Sequence, residues 1–312
     1  MKKVSFMMVV LFVGVVLFFG IVVYKGTKTE NIKIGYHLVS LKHPFAASLA
    51  EEFEKEARRN AITPIVTSAN NDRFQELKNI DYFIQEKVDA IFITAMDPDF
   101  IHAALERAKR EGIPVFAIDR SIDHDAVITQ ITSDNEDIGE QAAYYLVDQF
   151  TKKNGVPVGK VIEIKGNMNV SATIDRSKGF RDVMKNYPDI EIVGEAYGDF
   201  DPYKSRQETY QLLKKNPHID GIFAHNDDII LGAYTAWNDL QLTDRPLMIG
   251  ADGIPQVINL IDEGKIDATL VQQANKIMKT AFQAYDHYQK GKSIPDEIKV
   301  KARIYKNHAL SG

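Results

Sequence analysis

From residue 32 onward the chain keeps a regular beat of short apolar runs alternating with amphipathic stretches, and nothing else in the sequence constrains the fold as tightly. The clearest run is Val115-Phe116-Ala117-Ile118. Four apolar residues in succession read as a strand covered on both faces, as in a parallel sheet with helices above and below. Before it, runs at 32–38, 64–66 and 90–95 predict strands, and stretches at 44–60, 72–87 and 100–110 predict helices. Phe45, Leu49 and Phe53 share a helical face in the first of these, and Phe74, Leu77, Ile80 and Ile84 are expected to point inward in the second. A short strand at 127–132 completes a βαβαβαβ unit, the pattern of a doubly wound parallel sheet.

The beat then restarts. Helices are predicted at 136–150, 171–186, 203–215, 227–240, 254–263 and 278–289, with strands at 160–164, 191–196, 221–224, 247–251 and 268–271 and a last one at 298–304. The two halves share this grammar without a close residue-level repeat. The expected fold class is α/β: two doubly wound parallel-sheet lobes joined by a hinge, preceded by one transmembrane helix. The hinge falls near 133–135, and the chain crosses again near 272–275. This division gives an anchor and tether at 1–30, an N-terminal lobe of 31–133 plus about 274–292, and a C-terminal lobe of 134–273 plus about 293–312. Two such lobes enclose a cleft. Trp237, at helical spacing from Tyr234, reads as core packing.

The first thirty residues do not follow the beat. After Lys2 and Lys3, an uncharged apolar run of about 21 residues at 4–24 is long enough to cross a bilayer, which takes about 20. A secretory signal has a shorter apolar run, about 7–15 residues, and ends on a small-x-small site, which Val22-Val23-Tyr24-Lys25 lacks. The run is expected to be an uncleaved anchor with a cytoplasmic N-terminus. The protein then sits in the cell membrane, single-pass, with its binding domain extracellular. The chain has no cysteine, which excludes disulfides, thiolate metal sites, cysteine nucleophiles and a lipidated cysteine. A net charge of −5 without a basic cluster speaks against a nucleic-acid partner.

The residues that follow the strands carry the functional signal. His37 precedes the loop Lys42-His43-Pro44-Phe45; Asn70-Asn71, Asp97 and Asp119-Arg120 follow the next strands. In the second half Phe200-Asp201, Asn226-Asp227, Asp252 and Gln272-Gln273 do the same. Open α/β sheets bind ligands at this edge. Carboxylates, carboxamides, a guanidinium and aromatic rings together suit a neutral polyol, whose hydroxyls each donate and accept. Its C–H faces pack on rings, which Phe45 and Phe200 could supply. A structural reading stands beside this one, because Asp or Asn after a strand is often the N-cap of the next helix. Asn226-Asp227 and Asp97-Pro98-Asp99 fit caps well, His43 fits either role, and Arg176 alone reads as part of a solvated helix face.

Several chemistries lack their motifs. Gly155-Val156-Pro157-Val158-Gly159-Lys160 has one residue too few between its glycines, and Val161 stands where a phosphate loop needs Ser or Thr. No dinucleotide fingerprint or nucleophile elbow occurs. The eight His are scattered, so neither a metal nor another cofactor is expected. Asp119 and Asp252 could form a carboxylate pair for glycoside hydrolysis, but no nucleophile–base constellation accompanies them, and an enzyme is not expected.

From about residue 31 to the end the chain resembles the periplasmic sugar-binding proteins of the ribose/galactose type, whose lobes also occur in LacI-type repressors. The resemblance is carried by His43-Pro44-Phe45, Ala117-Ile118-Asp119-Arg120, Thr132-Ser133-Asp134-Asn135, Asp175-Arg176-Ser177-Lys178-Gly179-Phe180, Asp199-Phe200-Asp201, Phe223-Ala224-His225-Asn226-Asp227 and Ile249-Gly250-Ala251-Asp252-Gly253. It implies the type I periplasmic binding fold, with two lobes closing on one monosaccharide, and ligand contacts from Phe45, Asp119, Arg120, Arg176, Phe200, Asn226, Asp252 and Gln272, with His43 beside them. Gln273 is the alternative to Gln272. Ribose-type members commonly carry Asn-Pro-Phe-Phe where this chain has His43-Pro44-Phe45-Ala46, so a pentose other than ribose, a hexose or a related small furanoid ligand is expected. The implied partner is a membrane protein, either a sensor histidine kinase, as for anchored relatives, or the permease of an ABC transporter. A repressor would need an N-terminal helix-turn-helix, where this chain has its apolar run.

Overall fold

The computed structural model describes residues 31–216 and 218–307. The expected transmembrane helix at 4–24 therefore lies outside the described residues. Among those described, no helix is long and apolar enough to cross a membrane.

The chain alternates strand and helix through β1 (Lys33–Leu38), α1 (Pro44–Arg59), β2 (Thr63–Ser68), α2 (Arg73–Gln85), β3 (Ala90–Ile93), α3 (His102–Arg110), β4 (Val115–Ile118) and β5 (Val127–Ser133). It then continues with α4 (Asn135–Asn154), β6 (Gly159–Lys165), α5 (Ser171–Met184), β7 (Ile190–Tyr197), α6 (Pro202–Lys215), β8 (Gly221–Ala224), α7 (Asp227–Asp239) and β9 (Leu247–Asp252). The last elements are α8 (Pro255–Asp262), β10 (Ala268–Val271), α9 (Ala274–Gln289), β11 (Glu297–Val300) and β12 (Arg303–Lys306).

The strands form two six-stranded sheets, ordered β11-β5-β4-β3-β1-β2 and β12-β10-β9-β8-β6-β7. All pairings are parallel except β10 with β12. Each sheet is covered on both faces. In the first, Leu49 and Phe53 of α1 pack with Ile277 and Phe282 of α9 on one side, and Phe83 of α2 with Leu105 of α3 on the other. In the second, α4 and α5 contribute Leu146 and Phe180 to one face, and α7 and α8 contribute Ile230 and Val257 to the other. Burial on both faces explains why the strands read as unbroken apolar runs.

Two local findings depart from expectation, and one agrees with it. The stretch at 298–304 is two strands: β11 pairs with β5 of the N-terminal sheet, and β12 pairs antiparallel with β10 of the other. Residues 297–300 therefore belong to the N-terminal lobe rather than the C-terminal one, and the chain crosses between lobes a third time at Lys301-Ala302. Phe74 is 57% exposed instead of inward-facing; it lies edge-on to Phe100 with the Arg73 guanidinium nearby. It stands in the first turn of α2, away from the buried Ile80 and Phe83, and no neighbouring element covers it. Trp237 packs beside Tyr234 at the edge of the C-terminal core.

Two glycines set the geometry next to the cleft. A Cβ on Gly139 would lie 2.1 Å from the carbonyl oxygen of Arg176, and one on Gly179 would lie 2.1 Å from that of Glu136. Helices α4 and α5 therefore meet backbone to backbone, which brings Asn135 against Arg176.

Candidate ligand-binding cleft

A crevice opens between the carboxyl ends of the two sheets, and all nine residues expected there line it: His43, Phe45, Asp119, Arg120, Arg176, Phe200, Asn226, Asp252 and Gln272. The N-terminal lobe supplies the first four. Asp119 ends β4 in a left-handed conformation, φ +68°, and the Arg120 N–H donates to the Ile118 carbonyl at 2.7 Å across it. This tight turn throws both side chains off the strand tip. Arg120 donates from Nη1 to the Ala95 carbonyl at 3.2 Å, and its guanidinium lies 5.9 Å from the centre of the Phe200 ring on the other lobe. Burial pushes the Asp119 carboxyl up, and the guanidinium groups of Arg120 and Arg176 pull it back.

The C-terminal lobe supplies a denser network. Arg176, almost fully buried, donates from Nε to Asn135 Oδ1 at 2.9 Å and from Nη1 to the His225 carbonyl. Asp252 sits at φ +129° and accepts from Gln272 Nε2 at 2.5 Å and from Asn226 Nδ2 at 3.2 Å. Burial pushes its carboxyl up to about 7 against the pull of Arg176 and the Gln272 amide. Asn226 takes the capping role: its Oδ1 accepts from the Ile229 N–H at 3.0 Å at the start of α7, while its amide, donating to Asp252, lies in the cleft lining. Gln272 ties the site to the hinge, because its Oε1 accepts from Ser133 Oγ at 2.5 Å. Gln273 turns away and donates to the Lys301 carbonyl at 2.6 Å.

Phe200 depends on a glycine. The ring sits so close to Gly166 that a Cβ there would lie 2.1 Å from its Cζ. Phe45, in the first turn of α1, packs its half-buried ring against the N-terminal core.

Other strand-end residues do structural work instead. Asp72 caps α2, Asp134 caps α4 and Asp201 caps α6. Asp227 is buried, accepting from the Gly253 and Ile254 N–H groups and from Thr269 Oγ1. His37 is also buried, against Thr67 and 3.5 Å from Glu76. Asn70, Asn71 and Asp97 do not line the cleft. Sequence reasoning missed Val39, Ala46, Thr94, Val170, Ala172 and Asp228, which do. Asp228 was within reach as the third polar residue of Asn226-Asp227-Asp228, whereas the small apolar residues carry no sequence signal. Among the described residues no cluster fit to hold a metal occurs.

The fold has counterparts among known proteins. A periplasmic binding protein domain matches residues 34–293. The chain belongs to the periplasmic binding protein family. The ribose import binding protein RbsB of Bacillus subtilis is 34% identical over 279 residues, 89% of this chain and 88% of that protein. Among solved structures, the binding component of an arabinose ABC transporter from Shewanella, bound to L-arabinofuranose, is 28% identical with a TM-score of 0.82, covering 89% of this chain and 93% of that one. The fructose-binding periplasmic domain of a hybrid two-component system is 25% identical with a TM-score of 0.79, covering 88% and 90%. These periplasmic binding proteins are receptors for solutes and not enzymes, and so is this chain.

Proposed function

We propose that the chain is an extracellular, membrane-tethered receptor that closes on a single monosaccharide, a pentose or a hexose, and reports the bound state to a membrane partner. The observation that carries the reading is the convergence of polar groups from both lobes, Asp119 and Arg120 from one and Arg176, Asn226, Asp252 and Gln272 from the other, in a crevice also lined by Phe45 and Phe200. A ligand held by both lobes favours the closed arrangement over the open one, and that difference in affinity drives closure. Relatives that bind ribose and arabinofuranose support the choice of ligand class.

The partner we favour is a sensor histidine kinase. Support comes from the uncharged run at 4–24, read as an uncleaved anchor, from the missing cysteine, and from the likeness to the binding domain of a two-component system. A second reading, the binding component of a sugar ABC transporter, is favoured by the relatives that serve import. Titration calorimetry and thermal shift against a panel of pentoses and hexoses test the binding. A ligand at 100 times its Kd should add about 2.7 kcal/mol of stability. If no monosaccharide binds, the receptor reading is wrong. Deleting the gene in its host separates the partners: loss of sugar-induced transcription with uptake intact means a sensor, and loss of uptake means a transporter.

A further inference from the structure

One interlobe pair in the cleft, in ion-pair range, makes no side-chain hydrogen bond. Asn226-Asp227-Asp228 begins α7, and the first two are committed: Asn226 caps the helix, and Asp227 accepts from the Gly253 and Ile254 N–H groups at the start of α8 and from Thr269. Asp228 does neither, yet it lines the cleft with its side chain only 14% exposed. Opposite it stands His43. This residue occupies the N-cap position of α1 but makes no side-chain cap hydrogen bond, so its imidazole is not held by the helix it precedes. His43 Nδ1 and Asp228 Oδ2 are 3.6 Å apart, beyond hydrogen-bond length. A hydroxyl lying against the two would accept from the imidazole and donate to the carboxylate, satisfying both. Ala46 lines the same crevice with only a methyl group, leaving room beside the pair.

The pair is also set apart from the deeper polar groups. Its side chains are more exposed than the buried Arg176, Asp252 and Gln272, so it lies nearer solvent. A ring-form hexose has one hydroxyl more than a ring-form pentose. We propose that Asp228, with His43 facing it across the cleft, is a specificity-determining residue that holds this extra hydroxyl, so that the protein prefers a hexose over a pentose. The proposal rests on the monosaccharide reading above and narrows its ligand class.

The test is titration calorimetry of the full chain with D-ribose and L-arabinose as pentoses and D-galactose, D-fructose and D-allose as hexoses. The wild type is expected to bind at least one hexose more tightly than either pentose. In Asp228→Ala, and in Asp228→Asn as the variant of matched size, the ratio of hexose to pentose affinity should fall by about tenfold or more, the loss expected for a hydrogen bond to a charged group. His43→Ala should move the ratio in the same direction. A wild type that prefers a pentose overturns the proposal. So does an equal loss for both sugar classes in the variants, which would make the pair a general latch between lobes, or an unchanged ratio. Absence of binding to every sugar instead sinks the monosaccharide reading on which the proposal rests.

Discussion

At the scale of single residues, the site is held by groups that would be costly without a ligand to serve. Asp119 keeps a left-handed backbone that disfavours a side chain, a strain of order 1–3 kcal/mol that persists where surroundings enforce it. Its reward is to aim a carboxylate and the neighbouring guanidinium into one crevice. Asp119→Ala and Arg120→Ala are each expected to weaken sugar binding by about 2–5 kcal/mol, the cost of removing one partner of a buried charged hydrogen bond. Calorimetry checks this, and unchanged affinity in both variants removes them from the site. Asp252 supports a prediction with a pH signature. Burial lifts its carboxyl to about 7, whereas an unfolded chain ionises near 3.9. Between those values the folded form holds a proton that the unfolded form has lost, so stability falls as pH rises through the window and levels off above it. Asp252→Asn should therefore melt higher than the wild type at pH 8, with the difference shrinking toward pH 4, while binding sugar more weakly. A gap in melting temperature that does not change with pH would contradict the assignment. These residues were legible in the sequence because polar groups directly after apolar runs can be found by inspection. What could not be read was the division of labour. Only coordinates show that Asn226 caps with its oxygen and faces the cleft with its amide, or that Asp227 turns inward while Asp228 does not.

At the scale of elements, two features of packing decide where the functional groups end up. The contact of α4 with α5 through Gly139 and Gly179 seats Arg176 against Asn135 and the His225 carbonyl. Behind it, Glu163 accepts from the buried His225 ring at 3.0 Å and from Nε of the partly exposed Arg181 at 2.8 Å. The second feature is the stack of Phe200 on the bare backbone of Gly166. Gly166→Ala would force the ring out of place, because a methyl group at 2.1 Å cannot coexist with it. Overpacking should cost about 1–3 kcal/mol of stability, and the displaced ring should weaken sugar binding. Wild-type affinity in this variant would show that the ring position is immaterial. Element order and both sheets followed from the alternation of apolar runs, whereas the split of the last strand did not. Residues 298–304 present one apolar pattern, and the pattern carries no record that the first half pairs with β5 and the second with β10. Likewise the helical spacing of Phe74 identifies a face but not whether a neighbour covers it.

At the scale of the whole molecule, the lobes are separate cores joined by three chain crossings and by contacts across the cleft. Ser121 N–H donates to Ser171 Oγ at 3.3 Å, Arg120 reaches toward Phe200, and Ser133 in the hinge holds Gln272. The four apolar clusters lie two to a lobe and none spans the cleft, so each lobe could in principle unfold by itself. A sugar changes that coupling. On the proposed reading it is held by both lobes and binds neither once the other has unfolded, so its full binding energy is lost whichever lobe opens first. Differential scanning calorimetry should therefore show both lobes shifted upward together by a saturating sugar, and two resolved transitions in the apo protein should merge toward one. If the sugar raises the melting of one lobe and leaves the other where it was, the ligand sits on a single lobe and the cleft is not its site.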